Sequence, residues 1–521
     1  FRDIHMPRNT GAGIILAGGT WHGPCRAEVR PAACFGPHMV LQRESPLPVW
    51  GTAAAGERVV VTFAAAREET VADGRGSWRV TLPAQRASAT PRPLVIEGGN
   101  RVVCDDVLVG DVWLCAGQSN MLLPLAKCVD AKRGIAAAGE PRLRLLHMQT
   151  AATGDRPAYT AAQVQRLVPA GFCAGAWQRC TPETARGFSA VGYWMGRRLV
   201  AALDVPVGIV CVAVGGSPTE AWVRREALAA DPTLAPLVEG DWTRNPTLAG
   251  WCVDRAAENL ARARRAGEPV PGDDLGPNHP FKPGFLWEAG IAPLVPLAIR
   301  GVAWYQGESN ADSPARVAQH ARLFPALVRD WRRQWGRDDL PFVFVQLPGM
   351  NRPDWPAFRE TQRRALADLP HAGMAVTIDL GRKDDVHPGD KRPVGERLAD
   401  WALAHVHGRK DVVASGPLPA RVEFRDDAVE IRFDHASGGL RARDGQPPRH
   451  FELAAADGVF RAATARIDGD GVVVESPAPA QPPRHVRYAW APFPEPPVNL
   501  VNAAGLPATP FHLQRDVPPG D

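Results

Sequence analysis

Long apolar runs are missing from this 521-residue chain. The longest candidate, Val205 to Val214, falls well short of the roughly 18–20 residues a bilayer span requires. It is also interrupted by Pro206 and Gly208, so it reads as a buried strand. Net charge is almost absent as well: 60 basic against 56 acidic residues leave +4. That balance is too small and too dispersed for a nucleic-acid footprint. Lysine is scarce, standing only at positions 127, 132, 282, 383, 391 and 410, and the other basic residues are arginine. With abundant Ala, Gly and Pro, this pattern points to a GC-rich genome rather than to selection for phosphate binding. The nine cysteines are an odd number, with no C-x-x-C pair and no Cys/His cluster at zinc spacing. They read as isolated buried thiols, with one or two disulfides at most, and a cysteine nucleophile is not expected. The weakly apolar Gly11–Gly19 lacks the charged flank of a secretory signal.

The chain otherwise has an ordinary globular composition, 45% hydrophobic and 22% charged. At about 100–200 residues per domain it suggests two to four domains, at least one with a sizeable core. Residues 1–30 show no clear periodicity and are taken as a tail. Over 31–106 short alternating segments such as Arg58–Ala64 and Ser77–Leu82, separated by Gly, Pro and Asp, predict a small antiparallel sandwich. The texture changes at Val107. Apolar strands are predicted at Val107–Cys115, Val207–Val214, Gly301–Tyr305, Pro341–Leu347 and Met374–Asp379. Helices are predicted at Ala190–Ala202, Arg255–Arg265, Ala315–Trp335, Ala357–Asp368 and Val394–Val406. Strands alternating with longer helices argue for an α/β domain over 107–408, with a parallel sheet flanked by helices. Over 409–521 a β texture returns and predicts a second β-rich domain. In parallel α/β sheets functional groups gather beyond the carboxyl ends of the strands.

Four polar clusters stand at those ends. Gly117-Gln118-Ser119-Asn120-Met121 follows the first strand. A small residue before a serine lets the chain turn tightly and present the hydroxyl at a helix N-terminus, although a serine helix cap explains the same pattern. Asp384-Asp385-Val386-His387-Pro388 follows the last strand. A neutral His is the natural base for a Ser hydroxyl, and a nearby carboxylate can fix its tautomer. Gln306-Gly307-Glu308-Ser309-Asn310 offers amide donors, and Gly215-Gly216-Ser217 a backbone N–H, for a developing oxyanion. No metal or cofactor is called for.

The segments Val107 to Met121, Trp304 to Asn310, and Asp385-Val386-His387-Pro388 with Lys391 resemble the sialate O-acetylesterases of the SGNH hydrolase superfamily. So do Val40-Leu41-Gln42-Arg43 and Val49-Trp50-Gly51 at the front, and Val486 to Trp490 with Gly505-Leu506-Pro507 at the end. The resemblance spans roughly residues 31–512. It implies an SGNH-type three-layer core with flanking β-sandwich-like domains, and a metal-free serine esterase that removes O-acetyl groups from a carbohydrate, O-acetylated sialic acid first. Ser119 would be the nucleophile and His387 the base. The superfamily's Asp-x-x-His spacing points to Asp384 as orienter, which we prefer, and the family's Asp-x-His-Pro pattern points to Asp385. The oxyanion donors would be the Ser119 and Gly216 N–H groups and the Gln306 amide. Asn310 and Arg359 are candidate substrate contacts, Arg359 for the sugar carboxylate. Trp222, Trp287 and Trp355 could stack on sugar rings or belong to the core. An esterase of acetylated xylan or another polysaccharide, and a non-catalytic carbohydrate-binding protein on a hydrolase core, are the alternatives. The family suggests a periplasmic or extracellular location.

Overall fold

The strand Arg101–Gly117 organises the chain. The computed structural model describes residues 28–155, 157–477 and 481–515, so the expectation for residues 1–30 lies almost wholly outside the described residues. The first half of this strand pairs antiparallel with Ser88–Glu97 and parallel with Val40–Gln42. Its second half pairs parallel with Val207–Ala213 on one side and Gly301–Tyr305 on the other. The sheet continues outward in parallel through Phe342–Val345 to Ala372–Ala375, and in the other direction to Glu140–His147, with Trp177–Cys180 as an antiparallel edge. The strand runs unbroken past 106/107, where the sequence texture changes. Asp106 sits there at φ 57°, and its carboxylate accepts hydrogen bonds from His38, Arg144 and Arg179.

Alternation along the parallel strands divides the core in two. Trp113, Cys115, Ile209, Cys211, Ala303 and Val343 pack against the helices Ala190–Leu203 and Arg392–His405. Their neighbours Val112, Leu114, Val210, Val302 and Phe344 face the opposite layer, which includes the helix Pro314–Trp335. A strand buried on both faces is what a β-branched run such as Val207-Gly208-Ile209-Val210-Cys211-Val212-Ala213 favours. The helices begin at ordinary signals. Ser189 Oγ caps the first at the N–H of Gly192, and Ser313 followed by Pro314 opens the longest.

Two differences from the sequence reading have physical causes. The last strand ends at Ala375, not Asp379. Val376 and Ile378 are buried by packing rather than by strand pairing, and Asp379 is drawn aside by a bidentate pair with Arg397 at 2.7 and 2.8 Å. The strand Glu140–His147 escapes periodicity because Pro141 opens it and the buried Arg144 interrupts its apolar face. Near the C-terminus two four-stranded antiparallel sheets form, and Phe511–Gln514 of one packs against the helix Trp355–Asp368. The eight described cysteines are free thiols. Among the described residues no helix is long and apolar enough to cross a membrane, and no cluster of His, Cys, Asp or Glu could hold a metal ion.

Candidate active site

At the carboxyl end of the central strand the chain must turn within two residues. Gly117 has φ +138°, and a Cβ there would lie 2.1 Å from the carbonyl oxygen of Tyr305, so only glycine fits. Gln118 N–H donates to that same carbonyl at 3.0 Å. The turn delivers Ser119 as the first residue of a short helix, Ser119–Leu122. Across from it, His387 Nε2 stands 2.7 Å from Ser119 Oγ. The histidine loop is anchored by three contacts. Asp385 Oδ1 accepts the His387 N–H at 2.8 Å, the Val386 carbonyl accepts from Asn120 Nδ2 at 2.9 Å, and the Gly389 carbonyl accepts from Val129 N–H at 3.0 Å.

The third strand end contributes Gly215 and Gly216. A Cβ on Gly215 would lie 3.8 Å from the Ser119 Cβ, which puts this turn beside the nucleophile. Gly216 has φ +73°, and its carbonyl accepts from Ser309 Oγ at 3.0 Å. Neither the Ser119 N–H nor the Gly216 N–H donates to a protein acceptor among the described residues. Both therefore remain available to an oxyanion.

Gln306 is brought to the same end but is 1% exposed and already bonded. Its Nε2 donates to Asn310 Oδ1 at 2.7 Å and, at a longer 3.3 Å, to the Ser217 carbonyl, while its Oε1 accepts from Thr219 Oγ1 at 2.6 Å.

Several expected roles need correction. Asp384, the preferred orienter, is exposed in the turn closed by the Arg382–Asp385 bridge and makes no hydrogen bond with His387. Asp385 is the carboxylate in contact with this histidine, and it holds the main chain rather than the ring. Among the described residues no carboxylate accepts from His387 Nδ1. Asn310 is fully buried and cannot touch a substrate. Its amide is spent on Gln306, on Thr219 and on Glu220, the last at 2.9 Å, so it braces Gln306 from behind. Arg359 is likewise fully buried. It donates to the carbonyls of Pro348, Ala491 and Pro492, joining its helix to a distant segment, and burial lowers its guanidinium to about 9. Trp222, Trp287 and Trp355 are core residues.

Residue-by-residue reading passed over a buried trio beneath the pair: Asn120, Glu308 and Lys391. Glu308 accepts a hydrogen bond from Asn120 Nδ2, and Lys391 Nζ donates to Asn120 Oδ1 at 2.6 Å. The available signals were Glu308 just beyond the wholly apolar Gly301–Tyr305, and Lys391 among the residues that carry the family resemblance.

Residues 288–404 match the family model described as carbohydrate esterase, sialic acid-specific acetylesterase. Mouse sialate O-acetylesterase is 29% identical over 92% of this chain and 93% of its own length. The human enzyme is 28% identical over 74% and 72% respectively. The crystal structure of a carbohydrate acetylesterase from Xanthomonas citri superposes with a TM-score of 0.76 at 33% identity, covering 94% of this chain and all of that one. The chain belongs to the sialate O-acetylesterase family of carbohydrate esterases and is a carboxylic ester hydrolase.

Proposed function

We propose that this chain is a serine esterase with an SGNH-type core that removes O-acetyl groups from a carbohydrate, O-acetylated sialic acid being the substrate, by acyl transfer through Ser119 and His387. The observation that carries this reading is the 2.7 Å contact between His387 Nε2 and Ser119 Oγ beside two unengaged backbone N–H groups. His387 takes the Ser119 proton as the hydroxyl oxygen attacks the acetyl carbonyl, and the oxyanion forms against the Ser119 and Gly216 N–H groups. The protonated imidazole then gives its proton to the departing sugar hydroxyl. Water, deprotonated in the same way, releases acetate from the acyl-enzyme. The long Gln306–Ser217 bond is the one that yields when Gln306 turns a hydrogen to the oxyanion, since catalytic bonds often tighten only in the transition state. Gln306→Ala should therefore lower kcat by about 10²–10³-fold while leaving the fold intact. Unchanged turnover would leave the two backbone donors as the whole oxyanion site.

With Arg359 buried elsewhere, Arg352 is the better partner for a sugar carboxylate. It lies on the loop after Phe342–Val345, half-buried, with its guanidinium 5.9 Å from the centre of the Trp355 ring. Its charge favours the ionised form of Glu308, which places it near the strand ends. Among the described residues its side chain has neither an ion pair nor a hydrogen bond, although it is shielded enough for a pair to count. Arg352→Met should raise KM for acetylated sialic acid about tenfold or more, the worth of one charge-assisted contact. Its kinetics on a neutral acetyl ester should stay at wild-type values.

The test of the reading as a whole is acetate release from O-acetylated sialic acid and from acetylated xylo-oligosaccharide, side by side, with Ser119→Ala as control. Release from the sialic acid alone, lost in the variant, supports both mechanism and substrate. Release from xylo-oligosaccharide alone keeps the mechanism and overturns the substrate, and release that survives in Ser119→Ala overturns the mechanism.

A further inference from the structure

Beneath the reacting pair, the trio of Asn120, Glu308 and Lys391 has no task in the acyl-transfer steps. Asn120 directly follows the nucleophile and is fully buried, yet every polar atom of its amide is used. One Nδ2 hydrogen goes to Glu308, the other to the Val386 carbonyl at 2.9 Å, and Oδ1 accepts from Lys391 Nζ at 2.6 Å. Three segments thus meet on one side chain: the loop after Gly301–Tyr305, the histidine loop, and the start of the helix Arg392–His405. Lys391 is 1% exposed, and its ammonium lies 5.1 Å from the centre of the Tyr305 ring. A lysine so deeply placed needs compensation. Among the described residues it makes no direct ion pair, and the Glu308 carboxylate stands on the far side of Asn120, with its Oε2 buried and unpartnered.

We propose that Lys391 is a positioning residue for the reaction: through Asn120 its charge holds the nucleophile's helix and the histidine loop in register. This rests on the acyl-transfer reading above. The charges around both groups point the same way. Lys391 is faced by Glu308 from the neighbouring strand end, by Cys128 from the loop below, and by Asp385 and Asp390 of its own loop. Burial brings its ammonium down to about 8, with Glu308 foremost in opposing that fall. His387 is faced by Lys391 and Lys127, which lower it, and by Asp385, which raises it. Burial raises the Glu308 carboxyl, and the Asn120 bond and the Lys391 and Arg352 charges oppose that rise.

The experiment is the pH profile of kcat/KM on a neutral acetyl ester for the full chain, comparing wild type with Lys391→Met, Lys391→Arg and Glu308→Gln, each with a thermal melt. Lys391→Met should lose about 10–100-fold in kcat, as a small misplacement of reacting groups does, with KM within about twofold. Removing a positive charge raises the His387 pKa, so the acid limb should move up by about half to one pH unit. In wild type a basic limb should appear at about 8, where Lys391 gives up its proton. Lys391→Arg should return the acid limb towards wild type and abolish the basic one. Glu308→Gln keeps the size of the side chain, withdraws the charge that holds Lys391 protonated, and should move the basic limb downward. A Lys391→Met variant that melts lower with both limbs unmoved would overturn the proposal and leave Lys391 a purely structural residue. If that variant does not fold, the Glu308→Gln profile decides alone: a basic limb at the wild-type position overturns it. Failure of the catalytic reading would show separately, as activity persisting in Ser119→Ala.

Discussion

Replacing His387 by alanine is expected to cut kcat by about 10⁴-fold or more, and Ser119→Ala to do at least as much, with both variants folded. Removing either member of a nucleophile–base pair has effects of that order, and the two losses do not add. The double variant should therefore be no worse than the poorer single one. Labelling by a serine-directed phosphonate should show the same pattern: Ser119→Ala should take up none, and His387→Ala should react far more slowly than wild type. Equal labelling of the wild type and the histidine variant would mean that His387 does not activate the hydroxyl.

The pH dependence of the same step has a definite sign. Partial desolvation first, then the Lys391 charge, hold His387 below its ordinary value, with Lys127 adding to them and Asp385 opposing. The base works only when neutral, so kcat/KM should rise through a midpoint below about 6.5, the unperturbed value. Asp385→Asn removes the negative charge that, among the described residues, raises this histidine, and should push the midpoint lower still. It should also cost about 10–100-fold in kcat by loosening the anchored loop. Asp384→Asn should change neither by more than about twofold, because that side chain is exposed and makes no bond to His387. A larger loss in Asp384→Asn than in Asp385→Asn would restore the spacing-based assignment.

These two aspartates mark where sequence reasoning ran out. That Ser119, Gly216 and Gln306 share one edge of the sheet was legible because each stands just beyond an apolar strand, and a parallel sheet gathers its strand-end loops on one side; His387 comes from a longer loop after Ala372–Ala375. Spacing cannot say which of two adjacent exposed carboxylates curls back onto the histidine's main chain, since that depends on the local turn. Arg359 was misread for a related reason. A charged residue on an amphipathic helix is solvent-facing by default, and the carbonyls of Ala491 and Pro492 that receive it come from more than 130 residues away. Asn310 likewise stands in a motif facing the site but points behind it, towards Glu220. The main helices and most strands were visible in periodicity. The exceptions include a segment held by a long-range ion pair, Glu140–His147, one buried without pairing, Val376 and Ile378, and the largely exposed strand Ala66–Val71.

The middle of the central strand, where its parallel pairing with Val207–Ala213 begins, carries the largest expected effect on stability. Asp111 is fully buried, and its carboxylate receives Arg43 at 2.9 and 3.0 Å, Arg300 at 2.9 Å and Gln42 at 3.2 Å, with the His407 ring at 3.6 Å. One side chain thus joins the end of Val40–Gln42, the central strand, the chain entering Gly301–Tyr305, and the segment after the helix Arg392–His405. Asp111→Asn keeps the volume but strands two guanidinium groups beside a neutral amide. Breaking a buried pair by removing one partner costs about 3–5 kcal/mol. The first transition in a urea melt followed by tryptophan fluorescence should move to correspondingly lower denaturant. Burial alone would raise the Asp111 carboxyl, but the Arg43 hydrogen bond and the Arg300, Arg43 and His407 charges together hold it below its ordinary range. A depressed native pKa stabilises the fold above the unfolded value of about 3.9 and loses that stabilisation as pH falls through the native one. The gap between wild type and Asp111→Asn should accordingly be constant near neutrality and close only in strong acid. A variant with an unshifted melt at pH 7 would mean that the two arginines find other acceptors, and that this junction is not what binds the N-terminal strands to the parallel sheet.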